Sequence, residues 1–379
     1  MKCYICDTEL TPENYSDEHI IINAAGGRLK SKSLICRQCN SDFGEKFDNA
    51  LAKQLNFFAN QLMIKRERGE PQPIIGKRET TKEEMRILSD GTIIPHRPKY
   101  QETVEGNHVN ISMSVRDNAE LKRMSNSIAK KHPQLKEEDI IKAAVCNESY
   151  MDDYLTFNLE VGGPEVFRAV CKCAVNYFMY NNGNIEYIKP LINYIKGAEA
   201  KDIVWMHYKD NLYDLDDKEC FHILHLRGDS SERILYCYVD YFNVYKYIVL
   251  LNDSYDGDEI DSTYCFDVLN SKVIEKEFLV HYDRNTLIDF FINKDVKPFE
   301  RIEQCVNRTM AISQKRQRAN HIGKLIKEGL NNALSNNKYT NGTVITKEMA
   351  DNIVNEIMKK MKPFILHQLK IIRKKSLQE

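Results

Sequence analysis

Two Cys-x-x-Cys pairs near the N-terminus constrain the fold of this chain more than any other feature. The first pair is Cys3 and Cys6, and the second is Cys36 and Cys39. Four thiolates arranged in two such pairs provide the tetrahedral set of sulfur ligands that zinc prefers. The alternative is a group of buried free thiols, but the paired spacing favours a metal. We therefore expect one structural Zn²⁺ ion held by these four cysteines.

The segment between the two cysteine pairs is longer than in a simple zinc ribbon. It contains 29 residues, against about 15–20 in such ribbons. Glu18-His19 begins a β-branched run in this segment, and Gly26-Gly27 follows it. A β-branched run before a glycine turn predicts the first strand of a hairpin, with the imidazole directed into a cleft. Without this context, an exposed polar pair on a strand would be the simpler interpretation of Glu18-His19.

An amphipathic helix pattern follows the second cysteine pair. Apolar side chains recur at three- and four-residue intervals between residues 43 and 58, which predicts one buried helix face. Residues 65–82 contain two prolines, two glycines and many charges, a composition typical of a linker. We therefore expect a boundary near residues 68–75, with one domain at residues 1–68 and a larger one at residues 75–379. Further divisions of the larger domain are expected near residues 200 and 300.

The rest of the sequence predicts a mixture of helices and strands. Residues 220–280 alternate β-branched and aromatic runs with turn formers, a pattern that favours an antiparallel meander. Residues 300–379 predict basic helices. Further helices are expected at residues 119–131, at residues 137–145 and from Pro164 to the Asn182-Gly183 turn, and a strand is expected at residues 108–115.

Charge is distributed unevenly along a chain whose formal net charge is only -1. Residues 201–300 carry 11 Lys/Arg against 21 Asp/Glu, whereas residues 301–379 carry 16 against 6. The 42% of hydrophobic and 29% of charged residues argue against a disordered or fibrous chain. The sequence shows neither the ~18–20 uncharged apolar residues of a membrane helix nor the apolar core of a signal peptide. We therefore expect a cytoplasmic protein without a membrane partner.

The motifs occur in a distinctive order: CYIC, then EHIIINAAGGRL, then SLICRQCNSDFGEKFD. Over roughly residues 1–58 this order resembles the HNH endonuclease superfamily, and in particular the subgroup that carries a structural zinc site. The resemblance implies a ββα-metal fold, in which a hairpin and a helix surround one catalytic cation. The expected fold class is therefore α+β: a small HNH domain with a four-cysteine zinc site, followed by a larger mixed α+β domain with an antiparallel sheet and basic C-terminal helices.

The resemblance also implies roles for individual residues. His19 would act as general base, since an imidazole titrates near neutral pH. Glu18 and Asn40 would bind a catalytic Mg²⁺ or Mn²⁺ ion through oxygen atoms. Asp48, which ends the GEKFD pattern of the subgroup, is the preferred source of a further carboxylate ligand, ahead of Asp17. Asn40 also has an alternative or additional role as the N-cap of the following helix.

The position of the middle asparagine in the family name falls near Ser31 or Ser33 in this chain.

Basic residues surround the expected site. Residues 20–41 contain no acidic residue, and a cationic hairpin suits the path of a phosphate backbone. We therefore expect nucleic-acid contacts from four basic side chains: Arg28, Lys30, Lys32 and Arg37.

The implied function is that of a metal-dependent endonuclease that hydrolyses phosphodiester bonds in DNA. The larger domain would target or regulate this nuclease, in restriction or antiphage defence, through a second copy of the chain or through an activating partner or signal. Two alternatives remain open. One is a non-catalytic module that binds nucleic acid through its zinc knuckles, and the other is an RNase.

Overall fold

The structure, a computed structural model, describes residues 1–105, 108–145, 148–199, 202–294, 298–336, 342 and 344–375. Helices and antiparallel sheets both occur along the described chain, so the predicted α+β class is confirmed. Among the described residues, no helix combines the length and the apolar character that crossing a membrane requires.

The strands and helices are numbered in chain order. The strands are β1 (Glu18–His19), β2 (Lys30–Ser31), β3 (Ile74–Arg78), β4 (Glu84–Ile87), β5 (Ile93–Pro95), β6 (Lys99–Glu105), β7 (His108–Ser114), β8 (Leu155–Thr156), β9 (Val204–Met206), β10 (Phe221–Asp229), β11 (Ile234–Tyr241), β12 (Tyr245–Asn252), β13 (Ile260–Asp267) and β14 (Lys272–Ile274). The α-helices are α1 (Arg37–Phe43), α2 (Asn49–Gln61), α3 (Asn118–Lys131), α4 (Glu137–Ala143), α5 (Pro164–Tyr180), α6 (Lys189–Lys196), α7 (Arg284–Asn293), α8 (Pro298–Asn336) and α9 (Lys347–Lys375).

Residue contacts divide the chain into two compact units. Unit 1 comprises Met1–Ile74, Leu88–Gly91 and Asn158–Gln314, and unit 2 comprises Ile75–Ile87, Thr92–Phe157 and Lys315–Glu379. The N-terminal segment therefore shares its unit with a large part of the remaining chain. The expectation that residues 1–68 form a domain of their own, with further divisions near residues 200 and 300, stays a prediction.

Unit 1 is built on a six-stranded antiparallel sheet with the strand order β14-β13-β10-β11-β12-β9. The prediction of antiparallel strands over residues 220–280 is confirmed, but their order differs from a simple meander. Strand β13 returns to pair with β10, with Leu224 opposite Tyr264. Strand β13 cannot lie next to β12 on its outer side because β9 pairs with β12 there, with Val204 opposite Val249. The result is the 4-1-2-3 order of a Greek key.

Helix α5 packs against this sheet on one side and against α2 on another. It begins with Pro164, whose fixed φ suits the first helical position and whose missing N–H costs nothing there. Residues 169–178 are buried without interruption, so α5 is the core helix that its apolar pattern predicts. Helix α2 also contacts the sheet, since Gln54 donates to the hydroxyl of Tyr247 in β12 at 2.6 Å.

Unit 2 contains a four-stranded sheet with the order β5-β4-β3-β8 and a separate hairpin of β6 and β7. The predicted strand at residues 108–115 corresponds to β7, which pairs with β6 so that Lys99 lies opposite Ser114. The predicted helices at residues 119–131 and 137–145 correspond to α3 and α4. Asp117 caps α3, since its side chain accepts a hydrogen bond from the backbone N–H of Glu120.

Candidate active site

The four N-terminal cysteines form one cluster. The sulfur atoms of Cys3, Cys6, Cys36 and Cys39 lie within 4.8 Å of one another. Cys36 is also the N-cap of α1, and its sulfur accepts a hydrogen bond from the backbone N–H of Cys39. Burial acts to raise the pKa of the Cys6 thiol, but hydrogen bonds with Thr8 outweigh it and lower the pKa to about 6. This arrangement suggests a structural zinc site, as the spacing predicts.

The Glu18-His19 pair lies on the predicted hairpin, in which Glu18 is opposite Ser31 and His19 is opposite Lys30. The turn between the strands depends on its two glycines. Gly26 has a positive φ of 84°, and a Cβ atom on Gly27 would lie only 2.0 Å from the carbonyl oxygen of Ile21. The glycine pair that the sequence marks as a turn is therefore required by backbone conformation and by space.

A histidine of the sheet holds the loop that follows β1. The Nδ1 atom of His222 accepts a hydrogen bond from the backbone N–H of Phe242. Its Nε2 atom must then carry the proton, and it donates to the carbonyl oxygen of Ala25 at 2.9 Å. Burial lowers the pKa of His222 to about 4, so the ring is neutral near pH 7. His222 therefore has a structural role in this site.

The helix after the second cysteine pair contains a π turn. Residues Gly44–Asp48 form this turn between α1 and α2. In a regular α-helix two residues eight positions apart, such as Asn40 and Asp48, are about 80° out of phase. A π turn needs more residues per revolution and so brings these two side chains closer to the same face.

Because Cys36 caps α1, the alternative role of Asn40 as N-cap is wrong.

The proposed catalytic residues line one cavity of about 220 Å³. Its walls include Glu18, His19, Asn40 and Asp48. Asn40 donates from Nδ2 to the hydroxyl oxygen of Ser16, which leaves the carbonyl oxygen Oδ1 as its acceptor group. Tertiary structure thus places the predicted base and the predicted cation ligands around one space.

Two residues of α5 contact the carboxylate of Glu18, whose exposed fraction is only 2%. Asn176 donates from Nδ2 to Oε1 of Glu18 at 2.9 Å, and its own Oδ1 accepts from the Tyr4 hydroxyl at 2.6 Å. The Nζ atom of Lys172 lies 2.9 Å from the same Oε1 atom and 2.6 Å from Oδ2 of Asp48. Helix α5, far from the HNH-like segment in sequence, therefore contributes to the site.

Lys172 carries its charge inside the protein. Only 3% of the residue is exposed, and Nζ lies 5.6 Å from the centre of the Phe43 ring. Burial acts to lower the pKa of Lys172, but attraction by Asp48 and Glu18 outweighs it and raises the pKa above its ordinary value. The two carboxylates are thus bridged by an ammonium ion.

His19 is paired with an acidic residue that the sequence analysis did not identify. Its Nε2 atom lies 2.9 Å from Oε2 of Glu67. Lys30 joins the same group, with Nζ 3.0 Å from Oε1 of Glu67 and 2.9 Å from Oδ2 of Asp17. Hydrogen bonds from Lys30 and His19 lower the pKa of Glu67. Asp17, the second choice as a cation ligand, is therefore engaged by Lys30.

The basic residues that are predicted to contact nucleic acid differ in whether their side chains already bind other groups of the protein. Lys30 is held in its two ion pairs, and Arg28 donates from a guanidinium nitrogen to the carbonyl oxygen of Lys65 at 3.0 Å. Lys32 is exposed and lies over the ring of Tyr15, 5.0 Å from its centre. Arg37 is also exposed. Lys32 and Arg37 are thus more accessible to a phosphate backbone than Lys30.

Sequence reasoning missed Glu67, Lys172 and Asn176. The last two carry a recognisable signal, because they are polar residues spaced four apart within a run of buried apolar ones, and a lysine is rarely buried without a partner. Glu67 carries no such signal, since it lies among many charged residues of the linker.

Comparison with known proteins supports the interpretation of the N-terminal segment. Residues 3–56 match a family model described as HNH endonuclease. The matched range contains both cysteine pairs, the hairpin and the helix up to α2, so the resemblance seen in the order of the motifs is confirmed. No curated protein and no solved structure was found to match the chain.

Proposed function

From the match of residues 3–56 to the HNH endonuclease family model, we propose that the chain hydrolyses phosphodiester bonds in DNA with the help of a divalent cation. The observation that carries the proposal is the cavity shared by Glu18, His19, Asn40 and Asp48. It combines a base with oxygen ligands in one space, which is what hydrolysis of a phosphodiester requires.

The oxygen atoms of this cavity fit Mg²⁺ or Mn²⁺. Contacts from α5 end on Oε1 of Glu18 and on Oδ2 of Asp48. The oxygen atoms that remain as metal ligands are Oε2 of Glu18, Oδ1 of Asp48 and Oδ1 of Asn40. Hard divalent cations prefer such oxygen ligands. When bound, the cation would supply Lewis-acid stabilisation of the phosphoryl oxygens.

His19 and Glu67 act as a pair in this proposal. With the Nε2 proton directed to Glu67, the lone pair of Nδ1 is free to accept a proton from the attacking water. The ring becomes an imidazolium ion as the water oxygen bonds to phosphorus and the P–O bond to the leaving sugar oxygen breaks. The leaving oxygen takes up a proton from solvent. The carboxylate of Glu67 stabilises the positive charge, in the same way that a third group orients the base in other hydrolases.

The remaining roles rest on the resemblance and on composition. The four-cysteine cluster would hold structural zinc, and Arg28, Lys32 and Arg37 would contact the phosphate backbone, while Lys30 would act through Glu67. We place the rest of the chain in a targeting or sensing role, with a second copy or an activating partner, in cytoplasmic restriction or antiphage defence. Cysteines that bind zinc instead of forming disulfides are typical of a reducing compartment.

A plasmid assay tests the proposal. The zinc-loaded full chain is expected to convert supercoiled DNA into nicked and linear forms only when Mg²⁺ or Mn²⁺ is added. His19→Ala should lower this rate by at least about 100-fold without changing the zinc content. His281→Ala removes an exposed histidine elsewhere in unit 1 and serves as the matched control.

Three results would contradict parts of the proposal. A shifted gel band without cleavage products would favour the non-catalytic binding module. Cleavage of RNA but not DNA in parallel reactions would show that the substrate is RNA. A His19→Ala variant that cleaves at the parent rate would exclude His19 as the base.

A further inference from the structure

Lys172 places a positive charge between the two carboxylates that the proposed function assigns to the divalent cation. Its Nζ atom lies 2.9 Å from Oε1 of Glu18 and 2.6 Å from Oδ2 of Asp48. Each carboxylate thereby uses one oxygen for the ammonium group and keeps the other. Lys172 comes from α5, outside the segment that matches the family model.

The ammonium group is a fixed part of the site. Lys172 is only 3% exposed and lies within residues 169–178 of α5, all of which are buried. Withdrawing the side chain would leave the buried carboxylate of Glu18 and the partly exposed carboxylate of Asp48 without this ion pair, which is unfavourable. Asn176, one turn further along the same helix, also holds Glu18. We therefore expect Lys172 to remain in place when the site is used.

The charges of the three groups in the ion pair balance when a divalent cation and a phosphodiester are both bound. With both carboxylates ionised, Glu18, Asp48 and Lys172 together carry one net negative charge. A divalent cation alone would change this to one net positive charge. A cation together with one phosphodiester group would return the sum to zero, and charge balance matters most in a buried site.

We propose that Lys172 is a resident cation of this site, which keeps the affinity of the free protein for divalent cations low and couples cation binding to the binding of a phosphodiester. This inference rests on the proposed function, because it concerns the same carboxylates. It adds that the cation and the nucleic acid bind together, and that the residue responsible lies on α5.

Titration calorimetry with Mn²⁺ on the zinc-loaded full chain tests the proposal. At mildly alkaline pH and without nucleic acid, Lys172→Met should bind Mn²⁺ at least about tenfold more tightly than the parent, because a like charge has been removed. Lys172→Gln is a second neutral variant in case the methionine variant does not fold. In the double variant Lys172→Met/Glu18→Gln the gain should be lost, which assigns the binding to this cavity.

Lys246→Met is the matched control. Lys246 is also a buried lysine of unit 1, and its Nζ atom lies 3.6 Å from Oδ2 of the buried Asp240. The control removes a lysine from an ion pair in the sheet without touching Glu18 or Asp48. Its affinity for Mn²⁺ should equal that of the parent.

A second measurement needs no change at Lys172. In the His19→Ala background, which prevents turnover, a saturating duplex oligonucleotide should raise the affinity for Mn²⁺ by at least about fivefold. The oligonucleotide is DNA or RNA, according to which polymer the parent cleaves. Adding Lys172→Met to this background should reduce the enhancement, since the free site then already accepts the cation.

The outcomes separate the inference from the proposed function. Equal or weaker Mn²⁺ binding by the Lys172 variants, or an oligonucleotide that leaves the Mn²⁺ affinity unchanged, overturns the inference even if the parent is a cation-dependent nuclease. A parent that cleaves neither DNA nor RNA overturns the proposed function. Tighter binding by the neutral variants together with the oligonucleotide effect supports the inference.

Discussion

Nε2 of His19 and Oε2 of Glu67 lie 2.9 Å apart, although the two residues are 48 positions apart in the chain. The imidazole belongs to the hairpin, whereas the carboxylate follows α2. In the proposed mechanism this contact leaves Nδ1 of His19 available to a water molecule, so it connects the position of a linker residue with the chemistry of the site. It also gives Glu67 a testable role as a positioning residue.

Glu67→Gln should lower kcat by about 10- to 100-fold and leave KM nearly unchanged, because the amide can still accept a hydrogen bond but cannot stabilise an imidazolium ion. Glu67→Asp should recover part of the rate. Steady-state kinetics on a labelled duplex would measure both effects. Glu70→Gln changes an exposed acidic residue of the same linker and should behave as the parent. An increase in KM at constant kcat would indicate that Glu67 contributes to substrate binding instead.

Elemental analysis should find one zinc ion per chain, because the four thiols converge within 4.8 Å. Cys36→Ser should lose most of this zinc and melt at a lower temperature, since the residue is both an expected zinc ligand and the cap of α1. Cys305→Ser, which alters a thiol outside the cluster, should keep the full zinc content. Zinc-free parent protein with an unchanged melting temperature would remove the structural-zinc assignment.

Two glycines of the N-terminal segment should respond to alanine in opposite directions. A Cβ atom on Gly27 would lie 2.0 Å from the carbonyl oxygen of Ile21, whereas one on Gly44 would meet nothing within 4 Å. Gly27→Ala should therefore lower the free energy of unfolding by about 2 kcal/mol or more. Gly44→Ala, at a position with helical φ and ψ, should raise it by about 0.5–1 kcal/mol.

Chemical denaturation of the two glycine variants beside the parent would measure these changes. Equal stability of the Gly27→Ala variant would mean that the turn can open without loss. A destabilised Gly44→Ala variant would mean that the π turn needs the freedom of glycine.

Several parts of the site follow from local patterns. The cysteine pairs, the Glu-His strand and the glycine turn are recognisable because zinc ligands and tight turns require particular residues at particular spacings. The same holds for α5, whose start at Pro164 and whose apolar face are encoded locally. The order of the strands in the sheet was not predictable in this way, since the return of β13 to β10 depends on β9 covering the edge of β12.

The sequence by itself indicated the family resemblance of the N-terminal segment, the cysteine cluster and four of the residues that line the cavity. Only the tertiary structure decided that Lys172 and Asn176 would reach Glu18, and that Glu67 would pair with His19. The physical reason is the distance along the chain over which each effect acts. Propensity, turn geometry and ligand spacing act over a few residues, whereas a buried charge obtains its partner from whichever element the folded core places beside it.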